Sequence, residues 1–197
     1  VASQLLGFTN TENVGSEGLE SYYNKLLQGT AGAVITTKGN NETEMLYSYE
    51  KYYRASDGES LVLTLDLTVQ RALEKQMRDA VDRYDVLNGA FGIVMDVNNG
   101  DILAMATLGG YDPNSYLEIF DLSKNDELEE LYQAAAAKPE GTQERTEAFD
   151  VYNAEVAAAR LKQWRNRCVS DGYEPGSTFK VITLASALDS GAVTLQN

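Results

Sequence analysis

Tyr173-Glu174-Pro175-Gly176-Ser177-Thr178-Phe179-Lys180 runs directly into Val181-Ile182-Thr183-Leu184-Ala185-Ser186-Ala187-Leu188, and this stretch decides how the rest of the chain reads. Pro175-Gly176 signals a turn, because proline is excluded from helix interiors. The apolar run behind it predicts a helix buried on all sides, stopped by Gly191. Ser177 then falls in the first turn of that helix, and Lys180, three residues on, shares its face. Burial disfavours a charged ammonium, and a partly desolvated lysine beside a serine hydroxyl is a way to make a nucleophile without histidine.

The chain has no histidine and one cysteine, Cys168. A Ser-His-Asp triad and an imidazole zinc site are therefore impossible within it, and Cys168 has no histidine to activate it. Ser with Lys is the main route left to covalent catalysis. The spacing alone discriminates little. Ser48-Tyr49-Glu50-Lys51 repeats it in a polar, Tyr-rich stretch with no apolar helix behind, and reads as coincidence. For Ser177 the competing reading is a helix N-terminus at which Ser177 only caps and Lys180 snorkels to solvent.

The 197 residues allow one large domain or two small ones, and 43% apolar residues can bury a real core. A net charge of -14 argues against nucleic acid and anionic membrane surfaces as partners. A single cysteine provides no disulfide framework and fits a cytosolic or an exported bacterial protein equally. No apolar run approaches the roughly 18 residues of a membrane span, and no signal peptide stands at Val1. Val1 is not an initiator Met, and Leu195-Gln196-Asn197 follow closely on the apolar helix. The chain is therefore expected to be a piece of a longer polypeptide.

Taken in order, residues 1–58 read as a small satellite module. Gly7-Phe8-Thr9-Asn10 and Asn13-Val14-Gly15 are turn-rich. Ser16 is expected to cap a helix carrying Leu19, Tyr22, Tyr23, Leu26 and Leu27, ended by Gly29. Ala33–Thr37 and Met45–Tyr49 flank Gly39-Asn40-Asn41 and predict a β-hairpin, and Ala55-Ser56-Asp57-Gly58 reads as a hinge. Leu61–Leu65 predicts a strand. Asp66 or Thr68 caps the next helix, whose stripe is Val69, Leu73, Met77, Ala80 and Tyr84. Phe91–Val97 and Asp101–Ala106 predict strands joined around Asn99-Gly100, a pair in which both positions tolerate positive φ. Tyr111-Asp112-Pro113-Asn114 reads as a turn. Residues 116–163 differ in character. Asp126–Glu130 and Ala134–Ala137 predict an exposed acidic helix, Pro139-Glu140-Gly141 breaks it, and a second helix runs from about Thr146 to Gln163. The acidic run reads as a solvated helical insertion, with a docking surface as the functional alternative.

Glu174-Pro175-Gly176-Ser177-Thr178-Phe179-Lys180 resembles the active-site motif of penicillin-binding proteins, and the run Trp164–Tyr173 leading into it resembles their class B, monofunctional transpeptidase branch. Gly7–Asn10, Gly15–Tyr23 and Leu27-Gln28-Gly29 resemble that family's pedestal domain. Leu63-Thr64-Leu65-Asp66 with Gln70 resembles the entry to its transpeptidase domain, and Gly92–Asp96 through Gly100–Met105 the first hairpin of its sheet. The matches come in the family's order and leave out only residues 116–160. The resemblance implies an α+β fold. Residues 1–58 would be a pedestal, dimerisation-like module with a β-hairpin and helix. Residues 59–197 would be the first part of a transpeptidase domain, an antiparallel sheet with helices, carrying an acidic helical insertion at about 116–160.

For chemistry the resemblance implies Ser177 as the acylated nucleophile, Lys180 as the group that takes its proton or holds the network that does, and the Ser177 N–H as an oxyanion donor. The composition points to no metal and no organic cofactor, since the Asp and Glu fall in runs that read as solvated faces rather than ligand clusters. The implied partners are peptidoglycan stem peptides ending in D-alanyl-D-alanine, β-lactam antibiotics, and a membrane glycosyltransferase or other division and elongation proteins, without nucleic acid. The implied place is the extracytoplasmic face of the bacterial cell membrane, with an anchoring helix outside this chain. The family's Ser-x-Asn and Lys-Thr/Ser-Gly motifs should follow the Ser-x-x-Lys, and neither does so here. Ser123-Lys124-Asn125 lies upstream, in the insertion, and Thr37-Lys38-Gly39 has the wrong order. The fragment itself is therefore expected to be inactive or nearly so, with an open sheet edge. A serine β-lactamase or β-lactam sensor domain, and a non-catalytic cell-wall scaffold, are the alternatives.

Overall fold

The computed structural model describes residues 1–36, 50–87 and 89–195, and opens with α1 (Ser3–Leu6), α2 (Gly18–Tyr22) and α3 (Asn24–Leu27). The single Ser16-capped helix expected here is two short helices meeting at Tyr23. Ser16 does not cap: its Oγ donates to Val14 O at 3.3 Å, and Glu17 holds the N-cap position in extended backbone. The cause is a close backbone approach. Gly18 takes φ +60, and a Cβ there would stand 2.6 Å from Leu5 O and Gly7 N, so α1 and α2 meet through glycine. Gly29 ends this region as expected, at φ +65.

β1 (Ala33–Thr36) pairs antiparallel with β2 (Glu50–Tyr53), with Ala33 opposite Tyr53 and Thr36 opposite Glu50. The expected partner strand Met45–Tyr49 and the Gly39-Asn40-Asn41 turn lie outside the described residues; the strand that pairs begins at Glu50. Leu61–Leu65, expected as a strand, forms no ladder. It is tacked beside residues 102–103 only by Thr64 Oγ1 donating to Ile102 O (2.7 Å) and Asp66 N–H donating to Leu103 O (2.9 Å). The next stretch of that edge is already taken by a side chain of the following helix.

That helix is α4 (Leu67–Tyr84). Of the two expected caps it uses Asp66, whose Oδ1 accepts from Thr68 N–H (2.7 Å) and Val69 N–H (3.0 Å). These bonds hold the Asp66 carboxyl below the usual carboxylate range, Val69 contributing most. β3 (Phe91–Met95) and β4 (Ile102–Thr107) form the second antiparallel pair, Phe91 opposite Thr107, with a bulge at Val94/Met95. Leu73 and Met77 of α4 lie against Gly92, where a Cβ would come within 3.3 Å of Leu73. Gln70, 2% exposed, binds both polar groups of Met105 on β4: Oε1 accepts from Met105 N–H (2.8 Å) and Nε2 donates to Met105 O (2.9 Å). The β3–β4 turn is longer than the Asn99-Gly100 pair suggests. Asp96 N–H bonds Asp101 O (2.9 Å), the Asp96 carboxylate accepts from Asn98 N–H (2.8 Å), and Gly100 takes φ +81 while Asn99 has no positive φ. The Asp96 side chain nucleates the turn, so only the glycine has to be left-handed.

A 3₁₀ turn at Pro113–Ser115, capped by Asp112, leads into α5 (Leu122–Ala136) and α6 (Gln143–Trp164), an antiparallel helical hairpin. Its two helices are those expected, broken as expected around Pro139–Gly141, although α6 begins at Gln143 rather than near Thr146. Leu128, Ala135 and Ala159 are buried along the seam, beside the edge-on cluster of Tyr132, Phe149 and Tyr152. Glu127, Glu129 and Glu130 are exposed.

Phe8 fixes the hairpin's base to the N-terminus. It is 5% exposed, stacks on Tyr116 (centroids 4.1 Å, planes 11°) and touches Trp164 and Tyr111. Gln4 Nε2 donates to Gly109 O and Gln163 O, and Glu74 of α4 accepts from Ala2 N–H at 2.8 Å. The N-terminal segment therefore bears on α4, β4 and α6 together. The chain closes with α7 (Arg167–Ser170), a 3₁₀ turn (Gly176–Phe179) and α8 (Lys180–Asp189). The architecture is α+β, two antiparallel ribbons among helices. The accessible surface is 15145 Å², against roughly 9,200 Å² for a compact monomer of this mass.

Candidate active site

The Ser177 region is built on the β3–β4 ribbon by the segment leaving α6. Asn166 caps α7, its Oδ1 accepting from Cys168 N–H at 3.1 Å, and Arg167 N–H donates to Thr107 Oγ1 at 3.2 Å. The Cys168 thiol points at Gly92 O and Ala106 O, 3.5 and 3.4 Å away. Burial pushes this thiol up from its ordinary value, against the lowering effect of those contacts, so it is a packing group rather than a ready thiolate. The Arg167 guanidinium lies 5.1 Å from the Phe91 ring centre, and Tyr173 meets the same ring edge-on at 6.0 Å. Asp171 joins the pieces: one carboxylate oxygen is 2.6 Å from Arg165 Nε and the other 3.1 Å from Arg167 Nε. Partial burial works against this charge, but the Ser170 hydroxyl and the two guanidiniums hold the carboxyl below the usual range. Sequence reading missed this clamp. Its signal was the i, i+4 spacing of Arg167 and Asp171.

Past Tyr173 the chain enters the turn expected from Pro175-Gly176. Gly176 takes φ +52, Thr178 N–H donates to Pro175 O (3.1 Å), and the Thr178 hydroxyl donates to the same carbonyl. Ser177 lies inside the 3₁₀ turn and Lys180 is the first residue of α8, with Lys180 N–H bonded to Ser177 O. In 3₁₀ geometry side chains three apart eclipse one another, so the two share a face, as read from the sequence. The burial expected around them is absent. Ser177 and Lys180 are exposed, no α8 residue is buried, and Val181 and Leu184 are 72% and 57% exposed. The physical reason is that α8 packs on little beyond the 3₁₀ turn it continues; the apolar run needs walls that the described residues do not provide.

The look-alike motifs are committed elsewhere. Ser123 Oγ donates to Asp121 Oδ1 (2.6 Å) and Asn125 Nδ2 to Ile119 O (2.7 Å), both at the cap of α5, while Lys124 binds Glu127 and Glu155 at 2.9 Å. Lys51 lies on β2 over the Tyr53 ring; Ser48 and Thr37-Lys38-Gly39 fall outside the described residues. A cavity of about 220 Å³ lies between α1, α4 and residues 106–111, away from Ser177.

The family model described as the penicillin binding protein transpeptidase domain matches residues 90–197, more than half of the chain and including the whole Ser177 region. The chain belongs to this family. Similar relatives include stage V sporulation protein D of Bacillus subtilis, 31% identical over 98% of this chain and 24% of its own length. The peptidoglycan D,D-transpeptidase FtsI of Escherichia coli K12 is 26% identical over 98% of this chain and 26% of its own. FtsI of Buchnera aphidicola from Schizaphis graminum is 25% identical, again over 98% of this chain and 26% of its own. The class B resemblance read from the ordered motifs agrees with these relatives. The chain spans about a quarter of the length of the curated relatives it matches.

Proposed function

We propose that the protein containing this chain is a serine-type peptidoglycan D,D-transpeptidase acylated at Ser177. The observation that carries the reading is the placement of Ser177 and Lys180 on one face of the 3₁₀–α8 junction, within the region that matches the transpeptidase family. In the reaction, Ser177 Oγ bonds to the penultimate D-alanyl carbonyl carbon of a stem peptide as its proton passes to the Lys180 amine. The C–N bond to the terminal D-alanine breaks, and that amine leaves with the proton. A stem-peptide amine then attacks the acyl carbon, forms the cross-link and releases Ser177 with its proton restored. The Ser177 N–H, in a first turn where helices leave donors unpaired, suits one half of an oxyanion hole. A β-lactam enters the same first step and stays as the acyl-enzyme.

In this reading residues 1–58 are the pedestal and 59–197 the first part of the transpeptidase domain, with the α5–α6 hairpin as an insertion. The exposed apolar side of α8 is the surface on which the remainder of that domain closes, drying Lys180 and bringing the Ser-x-Asn and Lys-Thr/Ser-Gly groups. The enzyme works outside the cell membrane; among the described residues no helix is long and apolar enough to cross a membrane. Relatives named D,D-transpeptidases align over 98% of the chain, which favours cross-linking over the β-lactamase, sensor and scaffold alternatives. The test is labelling of the full-length protein by a fluorescent penicillin. Wild type is expected to form a stable covalent adduct and Ser177→Ala none; a labelled Ser177→Ala protein removes the assignment.

A further inference from the structure

We infer that Asp171 is a positioning residue that sets the Ser177 turn on the β3–β4 ribbon, and that it does so by clamping Arg165 and Arg167. The inference rests on Ser177 as the nucleophile. Between Asp171 and Ser177 the chain has little to hold it: Gly172 has open space around it, and Glu174 to Phe179 are exposed. A turn with so few contacts drifts unless its base is fixed. Asp171 fixes it at three points. Oδ1 meets Arg165 Nε at 2.6 Å, directly after α6, and also accepts from the Ser170 hydroxyl at 3.1 Å. Oδ2 meets Arg167 Nε at 3.1 Å. The one Ser170 hydroxyl proton is shared between Asp171 Oδ1 and Asn166 O, the latter at 2.7 Å, and the hydroxyl oxygen accepts from Arg165 Nε at 3.1 Å, closing a loop of contacts around residues 165–171.

The clamp matters for Ser177 because of where Arg167 points. Its guanidinium is held against the Phe91 ring at 5.1 Å, and Tyr173 packs on the same ring from two residues past Asp171. Arg167 is also anchored to β4 through its N–H on Thr107. The carboxylate therefore orients the cation, the cation and the strand fix the ring, and the ring seats Tyr173, four residues before the nucleophile. The Asp171 side chain is 20% exposed and its two arginines 30% and 54%, so this is a sheltered pair with Arg167 rather than a loose surface contact with both. Neutralising the carboxylate removes the ion pair that orients Arg167 toward Phe91 and so loosens the seat of Tyr173. A misplacement of about 1 Å at a reacting group costs up to about 100-fold in rate.

The test uses the full-length protein and fluorescent penicillin, with acylation followed over a range of concentrations so that the binding constant and the acylation rate constant separate. Asp171→Asn, Asp171→Glu, Arg167→Gln, the Asp171→Asn/Arg167→Gln pair and Ser177→Ala are compared, each with its unfolding midpoint. The expected result is an acylation rate constant lowered about 10- to 100-fold in Asp171→Asn, with binding within about twofold and the unfolding midpoint unchanged. Recovery to within about threefold of wild type is expected in Asp171→Glu, and no further loss in the double variant beyond the worse single one. Asp171→Asn acylating at the wild-type rate, losing reactivity only in step with its folded fraction, or combining multiplicatively with Arg167→Gln overturns the positioning role. Failure of Asp171→Glu to recover while folded does the same. Ser177→Ala separates the two readings: if it still labels, the nucleophile assignment fails, and if it does not label while Asp171→Asn behaves as wild type, only the positioning inference fails.

Discussion

Gln70→Leu isolates the contribution of a side chain that acts as a piece of strand. Gln70 is nearly sealed from solvent at 2% exposure, and its amide bonds Met105 N–H (2.8 Å), Met105 O (2.9 Å) and Glu74 Oε1 (2.9 Å). Leucine fills similar space but leaves the N–H and C=O of Met105 without partners beneath α4. Each orphaned group costs about 1–3 kcal/mol, while burying an apolar side chain in place of the amide returns about 1.5–3 kcal/mol. The net expectation is a loss of about 2 kcal/mol, which at a urea slope of about 2 kcal/mol/M lowers the midpoint by about 1 M. The assay is urea unfolding of the chain followed by the fluorescence of Trp164, its one tryptophan. Gln70→Glu is the control. It keeps the shape but sets a carboxylate against Met105 O and the Glu74 carboxylate, so it costs more than leucine at pH 7. At acid pH, where a protonated carboxyl regains one donor, the cost shrinks. Midpoints within about 0.2 M of wild type for both variants, or a Gln70→Glu cost that does not change with pH, would refute the claim that the amide completes the edge of β4.

Phe8→Ala removes the ring that stacks on Tyr116 and Trp164; a loss of about 3–5 kcal/mol is expected, with Trp164 emission shifted to the red, and an unshifted spectrum would show that the cluster does not depend on Phe8. Tyr111, whose hydroxyl donates to Ser3 O, has its ionisation pushed up to about 12 by burial and, secondarily, by the charge of Glu17. Because the fold favours its neutral form, its contribution is complete below about 10, the ordinary tyrosine value, and is lost as pH rises from there through about 12. Alkaline unfolding of Tyr111→Phe, compared by circular dichroism, should therefore begin at higher pH than wild type, and equal midpoints would count against it.

What the sequence made legible were the features carried by local chemistry. The Asp66 cap, the break around Pro139–Gly141, the Pro175-Gly176 turn and the pairing of Phe91–Met95 with Ile102–Thr107 all rest on residues within a few positions of each other. Ser177 and Lys180 were legible for the same reason, since their shared face follows from a spacing of three. What failed depended on partners distant in the chain. Leu61–Leu65 has strand composition, but Gln70 occupies the edge it would have extended. Ser16 lost its cap to a Gly7–Gly18 contact invisible in either glycine alone. The burial of α8 was inferred from composition, which reports what a helix needs and not whether a neighbour supplies it.

That last point bears on the chemistry. The β3–β4 ribbon, with α4 against it and the Phe8 cluster beside it, is a well-consolidated part of this chain, burying Gln70, Ala104, Ala106, Phe8 and Tyr111. The Ser177 turn hangs from that part by the Asp171 ion pairs and the Phe91–Tyr173 contact, and α8 beyond it stands open. Burial disfavours a charged ammonium, and Lys180 is exposed. The local geometry here is thus a half-assembled device: the spacing and the shared face are built into residues 176–180, whereas desolvation has to come from surfaces that pack on Phe179, Val181, Ile182 and Leu184. These four apolar side chains are each more than half exposed, and the same closure that covers them would dry Lys180. Under the proposed function, folding of the remaining domain and activation of Ser177 are therefore one event, and reactivity toward penicillin should appear only in proteins in which α8 is covered.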